Sequence, residues 1–164
     1  GMAFGTGYHP TTNMCLSALD KLVQPGYKVL DVGTGSGILS IAAAKLGAQY
    51  VLGLDIDELV IKTALENINI NNVEHQIDIR ESASIQGTHL HNQFDLVVAN
   101  IYPRIIVDLA QDMKHTLRNN GVLIVSGITR NKEKEVMNHL HQLDFLEETV
   151  TYQGDWVSII AVKS

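Results

Sequence analysis

The sequence predicts an α/β domain: an open, seven-stranded, mostly parallel sheet with helices on both faces and an antiparallel hairpin at its C-terminal end. Three observations carry this. Short apolar runs alternate with longer stretches whose apolar residues recur at helical spacing, the pattern of strand–helix–strand crossovers. The run Phe94 to Ala99 is apolar almost throughout, as expected of a strand covered on both faces. Near the end of the chain two β-rich runs are joined by Gln153-Gly154-Asp155, a hairpin turn signal rather than a crossover.

The elements follow in order. A glycine-rich opening, residues 3–9, leads through Pro10 to a helix starting at Thr11 and Thr12 and running to about Leu22, with Leu16, Leu19 and Val23 on one face. Pro25-Gly26 breaks it. The first strand is Lys28 to Val32; a helix from Ser36 to Leu46 stops at Gly47; the second strand is Tyr50 to Leu54. The helix from Glu58 to Ile70 places Val60, Ile61, Ala64, Leu65 and Ile68 at helical spacing, and Asn71-Asn72 ends it. The third strand, Gln76 to Arg80, alternates Ile77 and Ile79, and residues 83–92 read as polar and irregular. After the fourth strand comes a helix from Arg104 to Leu117, closed by Asn119-Asn120-Gly121. The fifth strand is Val122 to Ser126, followed by a charged helix from Asn131 to Leu143. The hairpin strands are Phe145 to Tyr152 and Trp156 to Val162, adding one antiparallel strand to the sheet.

Asp31 to Gly37 reads Asp-Val-Gly-Thr-Gly-Ser-Gly directly after the first strand, and no other stretch says as much about chemistry. Without Cβ atoms, Gly33, Gly35 and Gly37 permit positive φ and let a bulky ligand approach the backbone, while the next helix aims unpaired N–H groups at the same place. An ordinary tight turn would carry the same glycines, so context decides. A dinucleotide fingerprint wants Gly-x-Gly-x-x-Gly. Here the sixth position is Ile38 and the third glycine comes one residue early.

The spacing instead resembles the first motif of Rossmann-like, class I S-adenosylmethionine-dependent methyltransferases. That resemblance implies an acidic residue at the end of the second strand to bind the ribose hydroxyls, and Asp55 meets the demand. A strand-end carboxylate is also a natural helix cap, but Asp57 is better placed for capping, which leaves Asp55 to the ligand. In open α/β sheets ligands bind at the carboxyl ends of the strands where strand order reverses. Gly33–Gly37, Asp55, Arg80 to Ala83 and Asn100-Ile101 should therefore line one crevice.

Further motifs narrow the resemblance. The opening Phe4-Gly5-Thr6-Gly7-Tyr8-His9-Pro10-Thr11-Thr12, the strand exit Val97-Val98-Ala99-Asn100-Ile101, Gly53-Leu54-Asp55-Ile56-Asp57, Ser126-Gly127-Ile128 and Trp156-Val157 together resemble the catalytic domain of the bacterial ribosomal protein L-eleven methyltransferase (PrmA) family, over essentially the whole chain. The resemblance implies S-adenosyl-L-methionine as cofactor, contacted by Thr12, Asp31, Gly33, Gly35, Gly37, Asp55 and Asn100. It implies amino groups of a large-subunit ribosomal protein, lysine side chains and the N-terminal amine, as methyl acceptors in the cytoplasm. Asn100, with the carbonyl of Ile101, would accept amine N–H bonds and aim the lone pair; no dedicated general base is apparent, and water could take the proton. Thr12 could equally cap the first helix, and His9 could orient the glycine-rich opening or simply bond within a turn. The Gly5–Gly7 segment would close over the cofactor. The family also carries an N-terminal domain that recognises the ribosomal protein. The chain reads as the catalytic domain alone, either a fragment, with Gly1 a cut point or expression scar, or a naturally short protein; on both readings the part that recognises the ribosomal protein is not among these residues. Tyr8 and Tyr102-Pro103 are variations near the site.

Composition sets outer bounds. The 164 residues suit one domain, and 45% apolar with 18% charged residues is ordinary for a folded protein. Cys15 is the only cysteine, so no internal disulfide forms, and within Met14-Cys15-Leu16 it reads as a buried structural thiol. A net charge of −6 argues against general nucleic-acid binding, and no apolar run reaches the length of a membrane span. No metal site is expected: His89-x-His91 lacks carboxylate or thiolate company, and His139-x-His141 falls at helix positions that do not share a face. Asp108 and Asp112 do share a face, which reads as solvated surface. Three readings stand at this point: a protein amine methyltransferase of the family, a related methyltransferase acting on another protein or a small molecule, and a cofactor-binding domain without catalysis.

Overall fold

A computed structural model of the chain describes residues 8–82, 84–85 and 90–164. Its strands are β1 (Lys28–Val32), β2 (Tyr50–Asp55), β3 (Ile77–Glu81), β4 (Phe94–Asn100), β5 (Leu117–Thr129), β6 (Phe145–Gln153) and β7 (Trp156–Lys163). The helices are α1 (Pro10–Leu22), α2 (Ile38–Lys45), α3 (Glu58–Ile70), α4 (Pro103–Thr116) and α5 (Glu133–Gln142). One seven-stranded sheet has the order β3-β2-β1-β4-β5-β7-β6. β1 to β5 pair in parallel, and β7 enters antiparallel between β5 and β6, as the hairpin signal required. The chain lays β1, β2 and β3 outward to one edge, then returns to place β4 on the other side of β1. The strand order therefore reverses between β1 and β4.

Both faces of the sheet are covered, which is why its central strands are apolar at most positions, the buried Asp31 of β1 being an exception. Leu30, Leu52, Val97 and Leu123 point to the side packed by Ile106 and Met113 of α4 and Val136 and Leu140 of α5. Their neighbours Val29, Val51, Leu96 and Ile124 point to the other side, against Leu16 and Leu19 of α1, Ala42 and Ala43 of α2 and Ile68 of α3. Each such side chain removed from water contributes about 1.5–3 kcal/mol, so the two layers dominate the favourable side of folding. On α3 only Ala64 and Ile68 are fully buried, and Leu65 stands half exposed.

Several boundaries differ from the sequence expectation for identifiable reasons. α1 is capped by His9 rather than by a threonine: its Nδ1 accepts from Thr11 N at 3.3 Å, and Pro10 fills the first helical position, where no N–H is needed. α2 starts at Ile38, because Gly37 sits in the left-handed region at φ 85 and keeps Ser36 out of the helix. Asn119-Asn120-Gly121 does not separate α4 from β5 but bulges within the strand. Leu117 already pairs with Phe94, Asn120 turns through φ 64, and Val122 rejoins the ladder opposite Leu96. The charged helix begins with a 3-10 turn at Arg130–Lys132 and is helical from Glu133. β2 and β4 each run one residue further than expected, which makes Asp55 and Asn100 the last residues of their strands. Residues 1–7, 83 and 86–89 lie outside the described residues, and with them the Gly5–Gly7 segment, Ala83 and His89. Among the described residues no helix is long and apolar enough to cross a membrane.

Ile106 is fully buried between α4 and the sheet. Ile106→Ala should lower the unfolding free energy by about 2–5 kcal/mol, read as a lower urea midpoint at unchanged slope. A change below about 1 kcal/mol would contradict the packing of that layer.

Candidate active site

The site is built on the exit of β1. Gly33 turns through φ 73, and its N–H and that of Thr34 both donate to the Leu54 carbonyl, at 2.8 and 2.9 Å, tying the turn to β2. A Cβ on Gly33 would stand 2.7 Å from Ile101 Cγ2, so glycine is needed for the close approach of the segment after β4. From below, Asp31 accepts hydrogen bonds on Oδ2 from Thr34 Oγ1 and Ser40 Oγ, each at 2.8 Å. From the side, Asp55 Oδ2 accepts from Gly35 N at 2.9 Å, and its Oδ1 accepts from Asp57 N at 3.1 Å. Asp57 in turn caps α3 by accepting from Leu59 N, as its position suggested. Gly53 makes room for this arrangement, since a Cβ there would lie 3.0 Å from Thr34 Oγ1 and 2.6 Å from Ile79 Cδ1.

Asp31 is completely buried, and its Oδ1 has no hydrogen-bond partner. Burial pushes its carboxyl up to about 6; the Ser40 and Thr34 hydroxyls oppose that shift, and the charge of Asp55 adds to it. Cys15 lies buried nearby, and burial together with the Asp31 charge pushes its thiol up to about 12. It is therefore protonated and inert, which bears out a structural role.

The second wall comes from β4, β5 and the start of α1. Asn100 pairs with Ser126 in the β4–β5 ladder and extends Nδ2 to Thr12 Oγ1 at 3.4 Å. Ile101 N donates to Ser126 O, and Ser126 Oγ donates to Thr11 O at 3.3 Å, joining the strand ends to α1. Gly127, at φ 89, lets the Ile101 carbonyl and the Asn100 amide oxygen pack directly against its Cα. A Cβ there would meet Ile101 O at 2.5 Å and Asn100 Oδ1 at 3.2 Å. His9 packs edge-on against Trp156 with ring centroids 4.8 Å apart, linking the cap of α1 to β7.

These walls enclose a cleft of about 1020 Å³ at the carboxyl ends of β1 and β4. That is the upper end of the size of small-molecule sites. Of the residues singled out from sequence, Thr12, Gly33, Asp55 and Asn100 line it. Asp31, Gly35 and Gly37 are not among the lining residues: Asp31 and Gly37 are buried, and Gly35 is half-buried. Of Arg80 to Ala83, Ser82 lines the cleft and Arg80 remains within β3. Sequence reasoning gave no role to Ile56, Ile85, Gly127, Lys132 and Asp108, all of which face the cleft. Gly127 was the one with a usable signal, a glycine directly after the apolar run of β5. Asp108 is exposed, as the reading of a solvated face expected, and it also borders the cleft. Among the described residues no cluster of His, Cys, Asp or Glu is arranged to hold a metal ion; His91 and His115 meet ring to ring at 6.2 Å.

The sheet order, the glycine turn and the cleft at the strand reversal are those of the class I S-adenosylmethionine-dependent methyltransferase fold. The family model for ribosomal protein L11 methyltransferase (PrmA) matches residues 1–164, and the chain belongs to that family. It is 46% identical over 163 residues to the ribosomal protein L11 methyltransferase of Listeria monocytogenes serotype 4a, covering 99% of this chain and 52% of the relative. The corresponding protein of Halalkalibacterium halodurans is 48% identical over 162 residues, covering 98% and 51%. The chain thus spans about half the length of the curated relatives it matches. The crystal structure of ribosomal protein L11 methylase from Lactobacillus delbrueckii subsp. bulgaricus superposes with a TM-score of 0.89 at 32% identity, over 96% of this chain and 81% of that one. Precorrin-6y C5,15-methyltransferase from Geobacter metallireducens shares the fold at a TM-score of 0.79 and 16% identity, over 99% of this chain and 94% of that one.

Two outcomes test the local geometry. Asp31 keeps its proton to higher pH in the folded chain, about 6 against an ordinary 3.8. Below both values the group is neutral folded or unfolded. As pH rises between them the unfolded chain ionises first, so stability falls through that window and the group's contribution is constant above it. In urea melts from pH 4 to 7, Asp31→Asn should therefore gain on the wild type by on the order of 2–3 kcal/mol as pH rises; a flat or opposite difference refutes this. Gly127→Ala should cost about 1–3 kcal/mol in the same assay, because its left-handed backbone and the Ile101 carbonyl both resist a Cβ.

Proposed function

We propose that this chain binds S-adenosylmethionine in its cleft and transfers the methyl group to an amino group of ribosomal protein L11, in the cytoplasm where ribosomes are assembled. The observation that carries the reading is the meeting of Gly33, Asp55, Asn100 and Thr12 around one cleft at the strand-order reversal.

The residues present fit the cofactor. A carboxylate offers about four acceptor sites, and the two backbone N–H groups on Asp55 leave capacity for a vicinal diol. Beside it, Ile56 is 70% exposed and Ile85 faces the cleft from a buried position, a pair of apolar surfaces suited to a flat heteroaromatic ring. Thr12 and Asn100 offer hydroxyl and amide groups to the amino-acid end. In this reading Gly35 fixes Asp55 through its N–H, Gly37 ends the turn against Ala64, and Asp31 holds the turn from beneath, so the three serve the cofactor by position.

When bound, S-adenosylmethionine supplies an electrophilic methyl group already activated by its sulfonium. The chain's task is then to present a neutral amine in line with it. Reference pKa values near 10.4 for lysine and 8 for an α-amine mean that both arrive mostly protonated, and the apolar walls of Val32, Leu54 and Ile101 favour loss of that charge. Asn100 Oδ1 and the Ile101 carbonyl, converging beside Gly127, accept the remaining amine N–H bonds and direct the lone pair. The released proton leaves to water. The half of the relatives' length that these residues do not match would carry recognition of the ribosomal protein.

Calorimetry with S-adenosylmethionine tests the reading. The chain should bind it, and Asp55→Ala should weaken binding at least tenfold, roughly the worth of hydrogen bonds to a charged group. Absence of binding, or binding indifferent to Asp55, overturns it. Labelling of L11 by these 164 residues alone should be weak, and efficient labelling would move recognition into the cleft itself.

A further inference from the structure

Resting on that reading, we infer that Asp108 is the acceptor-side specificity residue: with Tyr102 and Trp156 it forms a receiving subsite for the cationic amino group of a lysine side chain. The charged side chains lining the cleft are Asp55, Asp108 and Lys132. Asp55 belongs to the β2 half, where its oxygens hold Gly35 and Asp57. Lys132 is drawn toward α5, its Nζ 3.7 Å from Glu135 Oε2. Asp108 takes part in no hydrogen bond or ion pair among the described residues, although Arg104 lies one turn earlier on the same helix.

Asp108 is exposed and borders the cleft, so it draws cations toward the opening, and the chain's net charge of −6 adds to that attraction. The aromatic side chains of this half work in the same direction. Tyr102 is 77% exposed at the start of α4, Trp156 also lines the cleft, and aromatic faces attract ammonium groups. The charged amine is thus taken at the rim by Asp108 and loses its charge only deeper in, beside Asn100 and Ile101. An acceptor of this kind is a basic segment of a protein, whereas a neutral or anionic nucleophile gains nothing from Asp108.

Trp156 is the only tryptophan, so its fluorescence reports on the subsite. The chain, saturated with S-adenosylhomocysteine, is titrated with a short lysine-containing peptide and with the same peptide acetylated on that lysine. The free-lysine peptide should bind the wild type more tightly and lose that advantage with added salt. Asp108→Asn should weaken it roughly three- to fivefold without affecting the acetylated peptide, and Asp108→Glu should restore most of the loss. Equal affinity for the two peptides, no saturable response, or indifference to Asp108→Asn overturns the inference. S-adenosylmethionine affinity separates the levels: if Asp108→Asn binds it normally while peptide affinity ignores Asp108, only this inference falls, and if the wild type does not bind it both fall.

Discussion

Two carboxylates hold the Gly33–Gly37 turn from opposite sides, and the cleft depends on both grips. Asp31 takes the Thr34 and Ser40 hydroxyls from beneath, while Asp55 takes the Gly35 N–H from the side. The turn needs such restraint because it threads three residues of positive φ between a strand and a helix. Asp31 does this at a cost, since a wholly buried carboxylate with one unpartnered oxygen resists ionisation. The two hydroxyls offset part of that penalty, and the strand ladder around Asp31 leaves it no other place to go. Gly53 is a silent partner, because any side chain there would displace Thr34.

The sheet topology decides what faces this turn. Because β4 returns beside β1 after the chain has gone outward through β2 and β3, the segments leaving β1 and β4 diverge to opposite faces. The gap between them becomes the cleft. Its β2 half presents a carboxylate and apolar surface, and its β4–β5 half presents carbonyl and amide oxygens, aromatic rings and Asp108.

Much of this was legible in the sequence because it rests on short-range rules. β1 and α3 fall where the apolar pattern puts them, and the positive φ of Gly33, Gly35 and Gly37 follows from their place after a strand. Asp57 was recognisable as a cap and Cys15 as a buried thiol. The misplaced features involve competition between local signals and long-range pairing. Asn119-Asn120-Gly121 has the composition of a turn, yet Leu117 is buried opposite Phe94 and draws the strand start ahead of it. Thr11 and Thr12 have the composition of a helix cap, yet the ring nitrogen of His9, two residues before Thr11, accepts the Thr11 N–H instead.

The sequence by itself determined the strand–helix alternation, the glycine turn and the acidic residue that ends β2, because backbone conformation and apolar periodicity are encoded over a few neighbouring residues. The tertiary structure alone decided which of these residues line the cleft. Asp31 and Asp55 look alike in sequence, two strand-end aspartates beside glycines. Register and sheet order bury one beneath the turn and leave the other on the cleft wall. The same packing brings Asp108 of α4 to the cleft and sets Gly127 against Asn100 and Ile101, since contacts between residues far apart in the chain exist only once the sheet has closed around them.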